Sequence, residues 1–191
     1  MKKTLFLILG LFLIGCSQYK YPHILIATQL GDIELELYPE KAPVTAAAFL
    51  AYVDSGYYTN ASFYRVLKAD ELPNEHNTGI IQGGIWQTKQ QLQLSIPGIK
   101  HESTKQSGLL HTSGTISLAR SAPGTASTEF FICIGDQNSL DAGKSGTEDG
   151  LGFAAFGKVV KGMPIVRKIQ GQNSHGDKFD EVIQIYKIKR L

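Results

Sequence analysis

The 191-residue sequence has few cysteines, no long apolar run and no metal-ligand motif. It has two cysteines, two methionines and one tryptophan. Two cysteines make no disulfide framework, so an ordinary hydrophobic core must supply the stability, and a chain of this length can bury enough. No apolar run reaches the roughly 18 residues of a spanning helix. His23, His76, His101, His111 and His175 show no metal-ligand spacing, and His101-Glu102 lacks the second histidine of a zinc-protease helix. All five read as surface or loop residues. Gly143-Lys144-Ser145 ends like a phosphate loop, but Asn138 occupies the position of that loop's first glycine. Internal repeats and coiled-coil heptads are absent. A surplus of one charge is also missing. The 19 basic residues fall to 17 against 17 acidic once Lys2 and Lys3 are set aside with the leader, and no basic stripe remains to argue for nucleic acid.

The leader itself is legible. Met1-Lys2-Lys3 is a basic start, Leu5 to Ile14 an apolar run, and Gly15-Cys16 a small-residue boundary, which together describe a secretion signal. Leu13-Ile14-Gly15-Cys16 resembles the lipobox of bacterial lipoproteins. The resemblance implies cleavage before Cys16, lipid on its sulfur, and attachment to a bacterial membrane outside the cytoplasm. Residues 1–15 are then the signal, 16–22 a tether and 23–191 the folded domain. Cys133, left alone in an apolar run, reads as an inert buried thiol.

Twenty glycines suggest many turns and short strands. Alternation predicts strands at His23–Thr28 and Ile33–Tyr38, joined as an antiparallel hairpin. Pro43 opens a helix that ends at Ser55-Gly56. Further strands are predicted at 63–67, 80–84, 115–119, 129–134, 155–160 and 182–188, with a second short helix at 163–169. Residues 68–79 and 86–112 read as irregular, and 141–150 as a flexible loop. Eight strands and two separated helices do not alternate as a parallel α/β sheet would. They fit a mainly β fold, a closed eight-stranded antiparallel barrel capped by the two helices.

Four stretches place a polar or glycine position among large apolar groups: Ser62-Phe63-Tyr64-Arg65, Ile81-Gln82-Gly83-Gly84, Glu129-Phe130-Phe131-Ile132 and Phe156-Gly157-Lys158-Val159. Arginine and glutamine are costly to bury unless a site uses them. These stretches therefore read as the walls of one apolar pocket with a few aimed polar groups.

With Gly114-Thr115-Ile116-Ser117-Leu118-Ala119 added, the same stretches resemble the cyclophilins, the cyclosporin-type peptidyl-prolyl isomerases, over His23 to Leu191. The resemblance implies the barrel fold and isomerase activity on proline-containing polypeptides, with neither metal nor cofactor; the lipobox ahead of it adds the expectation that these are secreted or envelope proteins in the course of folding. It implies a catalytic Arg65, and Gln82 bonding both that arginine and the substrate backbone. Phe131 would be the floor of the proline pocket, with Ile80, Leu140 and Phe153 as apolar wall and Ala119, Arg120 and Glu129 beside the peptide. Departures from the family pattern are Gly79 at an aromatic position, Arg120 for asparagine, Glu129 for glutamine and Ser139 for a tryptophan linked to cyclosporin, so weak cyclosporin binding is expected. An ion pair between Glu129 and Arg65 would orient the guanidinium. A pocket that binds proline segments, or acts as a chaperone, with little turnover is the alternative.

Overall fold

The computed structural model describes residues 19–69 and 76–191. Strands β1 (His23–Thr28) and β2 (Gly31–Leu37) form the expected antiparallel hairpin. Helix α1 (Pro43–Asp54) starts at its proline, where the missing N–H is not needed, and buries Thr45, Ala46, Phe49, Leu50 and Val53. Strands β3 (Ala61–Lys68), β4 (Gly79–Gly84), β5 (Thr115–Leu118), β6 (Phe130–Ile134) and β7 (Ala154–Lys161) follow, then α4 (Met163–Gln170) and the final strands β8 (Ser174–His175) and β9 (Lys178–Arg190). Between β4 and β5 lie two short helices, α2 (Gln90–Ser95) and α3 (Thr104–Ser107).

All strand pairings are antiparallel, in the order β1-β2-β7-β5-β6-β4-β3-β9, and β9 pairs back onto β1 to close the ring. The two-residue β8 adds only to the outside of β9. An eight-stranded barrel is just wide enough for side chains to fill. Here the filling is aromatic. Phe130 meets Phe49, Tyr58 and Phe63 edge-on, at centroid distances of 5.8, 5.7 and 5.8 Å, and Phe49 reaches Phe156 at 5.0 Å. Aromatic edges favour such T-shaped contacts.

The helical segments at 90–95 and 104–107 depart from the irregular reading of 86–112. Helix α2 buries none of its residues, so no apolar period announces it. Helix α3 is set by a capping box between Ser103 and Gln106, and Gly108 ends it in a left-handed turn. Strand β9 begins four residues earlier than its alternation suggests, because Asp180 and Glu181 lie exposed on its outer side. Cys16 and the leader fall outside the described residues.

The strands around β6 are buried on both faces. Phe130, Ile132 and Ile134 fill the barrel, while Phe131 and Cys133 point to a second, smaller apolar cluster with Ile80. Ala119, Leu140 and Phe153 pack over that cluster from loops. The barrel thus carries an apolar notch on its outside wall.

Candidate active site

Arg65, Gln82 and Phe131 lie side by side on three neighbouring strands. Arg65 is the register partner of Gln82 across β3 and β4, and Gln82 that of Phe131 across β4 and β6. The register of β3 slips between Phe63 and Arg65 against both of its neighbours. A bulge of this kind re-aims side chains. Phe63 remains in the core, while Tyr64 and Arg65, consecutive in sequence, both reach the side chain of Gln82.

The guanidinium is held at two points. Arg65 Nη1 donates to Gln82 Oε1 at 3.0 Å, and Nε donates to Asp177 Oδ2 at 2.7 Å. The Nη2 edge has no hydrogen-bond partner among the described residues, and Arg65 is 37% exposed. Asp177 comes from the link between β8 and β9, next to Lys178, the register partner of Arg65. The bond from Arg65 lowers the Asp177 carboxyl pKa, so the pair stays ionised at neutral pH. Glu129 does not pair with Arg65, so the conditional ion pair does not arise. Glu129 is turned into the wall, where Oε1 accepts from the N–H groups of Ile85 and Trp86 at 2.9 and 3.1 Å and from the Thr128 hydroxyl at 3.1 Å, and Oε2 from the Tyr64 hydroxyl at 2.8 Å. Hydrogen bonds through Tyr64 and Gln82 link it to Arg65.

Phe131, Ile80, Leu140 and Phe153 form the apolar part of a groove of about 490 Å³, which Arg65, Gln82, Ala119, Arg120, Glu129 and Ser139 also line. Phe153 meets Phe131 edge-on at 5.3 Å. Leu140 sits in a 3-10 turn, Asn138–Leu140, and its carbonyl accepts from the N–H of Phe153 at 3.0 Å. Gly79 has φ +135°, and a Cβ there would run into the Leu67 carbonyl, which explains the absence of an aromatic at this position. Ala119 donates its N–H to the Glu129 carbonyl at 2.8 Å, extending the β5–β6 pairing along the groove edge.

Arg120 does not offer its donors to the groove. Its side chain is 2% exposed; Nη1 and Nη2 clasp Asp149 at 2.7 and 2.9 Å, and Nε and Nη2 donate to the Gly152 carbonyl at 3.0 and 2.6 Å. The guanidinium also lies 5.5 Å from the Phe153 ring centroid, a cation–π distance. The segment read as a flexible loop is therefore clasped to the end of β5. Arg120 also holds the Asp149 carboxyl well below the usual carboxylate range.

His111 lies in a loop, one half of the surface-or-loop reading, but it is not at the surface. It is fully buried beneath the groove floor and stacks on Phe131 at 5.8 Å. Its Nδ1 lies 2.7 Å from Asp141 Oδ1 and its Nε2 3.0 Å from the Ser117 hydroxyl. Burial lowers its pKa, which favours the neutral ring, with Nδ1–H donating to Asp141 and Ser117 donating to Nε2. His23 is also enclosed, between Glu34 and Glu36 at 2.7 and 3.3 Å. Cys133 is buried as expected, and burial pushes its thiol pKa up and keeps it inert. Asp177 and His111 gave no sign in the sequence, because loop and turn positions carry no period.

Comparison with known proteins identifies the family and the fold. The family described as cyclophilin type peptidyl-prolyl cis-trans isomerase/CLD matches residues 23–190. A peptidyl-prolyl cis-trans isomerase of Acinetobacter baylyi is 37% identical over 170 residues, covering 88% of this chain and 82% of its own. Peptidyl-prolyl cis-trans isomerase A of Dickeya dadantii is 38% identical over 148 residues, covering 77% and 70%. A crystal structure of a Cryptosporidium parvum cyclophilin-type isomerase superposes with a TM-score of 0.70 at 23% identity, over 90% of this chain and 98% of its own, which is a likeness of fold. A second structure of that isomerase, in the presence of the dipeptide Ala-Pro, gives a TM-score of 0.68 at 24% identity, over 87% and 97%. This chain belongs to the cyclophilins and is a peptidyl-prolyl cis-trans isomerase.

The clasp predicts a division of effects for Arg120→Ala. Released from Asp149, the 146–153 segment and Phe153 lose their fixed position over the slot. KM for a proline tetrapeptide should rise several-fold while kcat changes less, measured by steady-state isomerisation kinetics.

Proposed function

We propose that Arg65 and Gln82 carry out the isomerisation on prolyl bonds held in the Phe131 notch, and that the protein does so on secreted or envelope polypeptides from a lipid anchor at Cys16. The observation that carries the catalytic part is the placement of an oriented guanidinium and an apolar slot in one groove.

The barrier to be lowered is conjugation. An amide resists rotation by ~18–20 kcal/mol because its nitrogen shares a lone pair with the carbonyl. At X-Pro the two isomers are close in energy yet exchange over tens to hundreds of seconds. No bond needs to be made or broken, so nucleophile, proton relay and metal have no step to serve. The pyrrolidine ring seats against Phe131, between Ile80, Leu140 and Phe153, and is held while the acyl side turns. At the twisted geometry the prolyl nitrogen recovers its lone pair and becomes an acceptor. Arg65 lines the same groove, always charged and with its Nη2 edge uncommitted among the described residues, and donates to that nitrogen or to the neighbouring carbonyl. This bond is stronger at the twist than in either planar isomer, which is the condition for acceleration. A 10⁵-fold effect needs about 7 kcal/mol, within reach of one charge-assisted contact in a sheltered site together with ring placement.

Gln82 holds Nη1 and thereby aims the free edge. Asp177 draws off part of the arginine's field while fixing its angle. Ala119 offers edge backbone at which an extended peptide aligns. The dipeptide recorded with the Cryptosporidium relative supports a proline-bearing occupant here as well. Ser139 lines the groove at the position where the family resemblance implies a tryptophan linked to cyclosporin, which supports weak binding of that inhibitor.

The lipobox-like Leu13-Ile14-Gly15-Cys16 supports the anchor. Several acyl chains at ~0.8 kcal/mol per buried methylene would hold the protein firmly at a membrane. The tether then sets the working place, and polypeptides that emerge across the membrane are the substrates.

Two measurements test these readings. Wild-type protein should accelerate cis-to-trans conversion of a proline tetrapeptide, and Arg65→Ala should lower kcat/KM by about 10²–10³-fold, the usual cost of losing one aimed donor. Equal rates for the two, or a wild type that binds the peptide without turnover, would remove the catalytic reading. Cys16→Ser should move the protein from the membrane to the soluble fraction of expressing cells; an unchanged distribution would remove the anchor.

A further inference from the structure

Arg65 stands at one end of a chain of four side chains with a single possible direction. Arg65 donates to Gln82 Oε1 at 3.0 Å, Gln82 Nε2 donates to the Tyr64 hydroxyl at 2.9 Å, and Tyr64 donates to Glu129 Oε2 at 2.8 Å. The two ends have fixed polarity: a guanidinium only donates and a carboxylate only accepts. The amide and the phenol between them could each face either way. The ends decide for them. Tyr64 must give its proton to the carboxylate, so its oxygen accepts from the Gln82 amino group, so the Gln82 carbonyl faces Arg65.

The seat of Glu129 is built for this task. The carboxylate belongs to a residue only 8% exposed. Its other oxygen is already enclosed by three donors, the Ile85 and Trp86 N–H groups and the Thr128 hydroxyl. Gly84 makes the room, since a Cβ there would collide with the carboxylate. An amide in this seat has one choice. Its oxygen must take the three donors, and its NH2 group must face Tyr64. The hydroxyl would then turn its proton toward Gln82, whose amide would have to reverse, and Gln82 would present NH2 to Arg65, donor against donor.

We infer that Glu129 is a positioning residue for the isomerase reaction: acting through Tyr64, it fixes which end of the Gln82 amide faces Arg65 and thereby holds the guanidinium ready for the substrate. The Tyr64–Glu129 pair is then one unit, and glutamine at 129 is incompatible with tyrosine at 64. This rests on the proposed roles of Arg65 and Gln82. It differs from the role an ion pair would have given Glu129, because no contact with Arg65 is involved.

A proton on Glu129 would act as the amide does. Burial raises the pKa of this carboxyl against the hydrogen bonds it accepts. The titratable groups facing it are Tyr64 and, behind the Thr128 carbonyl, Tyr58, both pushed up by burial and so neutral throughout the acid range. Arg65 lies three hydrogen bonds away, and Asp177 beyond it is lowered by its own ion pair. As pH falls through the raised Glu129 value, the proton goes to the oxygen facing Tyr64 and the chain loses its direction.

The test is a double-mutant cycle in kcat/KM with a proline tetrapeptide, with folding checked by thermal melting. Glu129→Gln should lower kcat/KM by about tenfold or more, and Tyr64→Phe, which removes the relay without reversing it, by less. The double variant should be no slower than Tyr64→Phe alone, so phenylalanine at 64 rescues glutamine at 129. Independent, multiplying losses, or a fully active Glu129→Gln, would overturn the inference. Should Glu129→Gln fail to fold, the pH profile reads the same unit. Wild type should lose activity on the acid side and Tyr64→Phe should lack that limb, whereas an identical limb in both would overturn it. Arg65→Ala separates the two levels: an active Arg65→Ala removes the catalytic reading, while an inactive one with an uncoupled cycle removes only the role of Glu129.

Discussion

An arginine on a strand is a flexible rod unless something holds its head, and the site depends on the two-point grip on Arg65. The grip needs elements far apart in sequence. Gln82 comes from the paired strand β4, and Asp177 from the link into β9 on the other side of β3. Only the pairing of β3 with both β4 and β9 brings the two carriers to opposite flanks of one guanidinium. The bulge between Phe63 and Arg65 completes the arrangement by turning two consecutive residues, Tyr64 and Arg65, to the Gln82 side chain while Phe63 stays in the core.

The same strands serve packing and chemistry on opposite faces. Along β6, Phe130, Ile132 and Ile134 fill the barrel while Phe131 and Cys133 form the floor of the groove outside it. A rigid aromatic core therefore stands directly behind the apolar slot. The cover of the slot is not part of the barrel. Leu140 and Phe153 come from a loop segment, and Arg120, by clasping Asp149 and the Gly152 carbonyl, ties that segment to the end of β5. Beneath the floor, His111 fills the space under Phe131 and satisfies its ring nitrogens with Asp141 and Ser117. The slot thus has a fixed back, a clasped lid and a gripped cation at its rim.

Much of this was legible in the sequence, for identifiable reasons. The hairpin 23–37, the proline-started helix and the closed ring follow from alternation and from a helix spacing that rules out a parallel sheet. Arg65, Gln82 and Phe131 stood out because polar groups amid buried aromatics are costly, and the likeness to the cyclophilins put them in register. What escaped was set by tertiary contact. Asp177 lies in a turn and acquires its role only when β9 docks on β3. His111 carries no pattern distinguishing it from four other histidines. Arg120 has the same sequence whether it meets a peptide or clasps Asp149. Glu129 could be singled out, but its partner could not, because the choice between Arg65 and Tyr64 depends on a bulge that side-chain alternation does not reveal. Helix α3 was within reach, since Ser103 and Gln106 have the spacing of a capping box.

The central claim is that a gripped guanidinium and a notch floored by Phe131 engage the same prolyl residue. Titration of the isotope-labelled protein with an Ala-Pro-containing peptide, followed by NMR, tests it most directly. The account predicts that the Arg65 Nε–H and the Phe131 ring resonances shift together with one saturation curve, while the peptide's cis and trans lines broaden by exchange. Saturable binding that leaves Arg65 and Phe131 unmoved, or shifts them with different affinities, would contradict it.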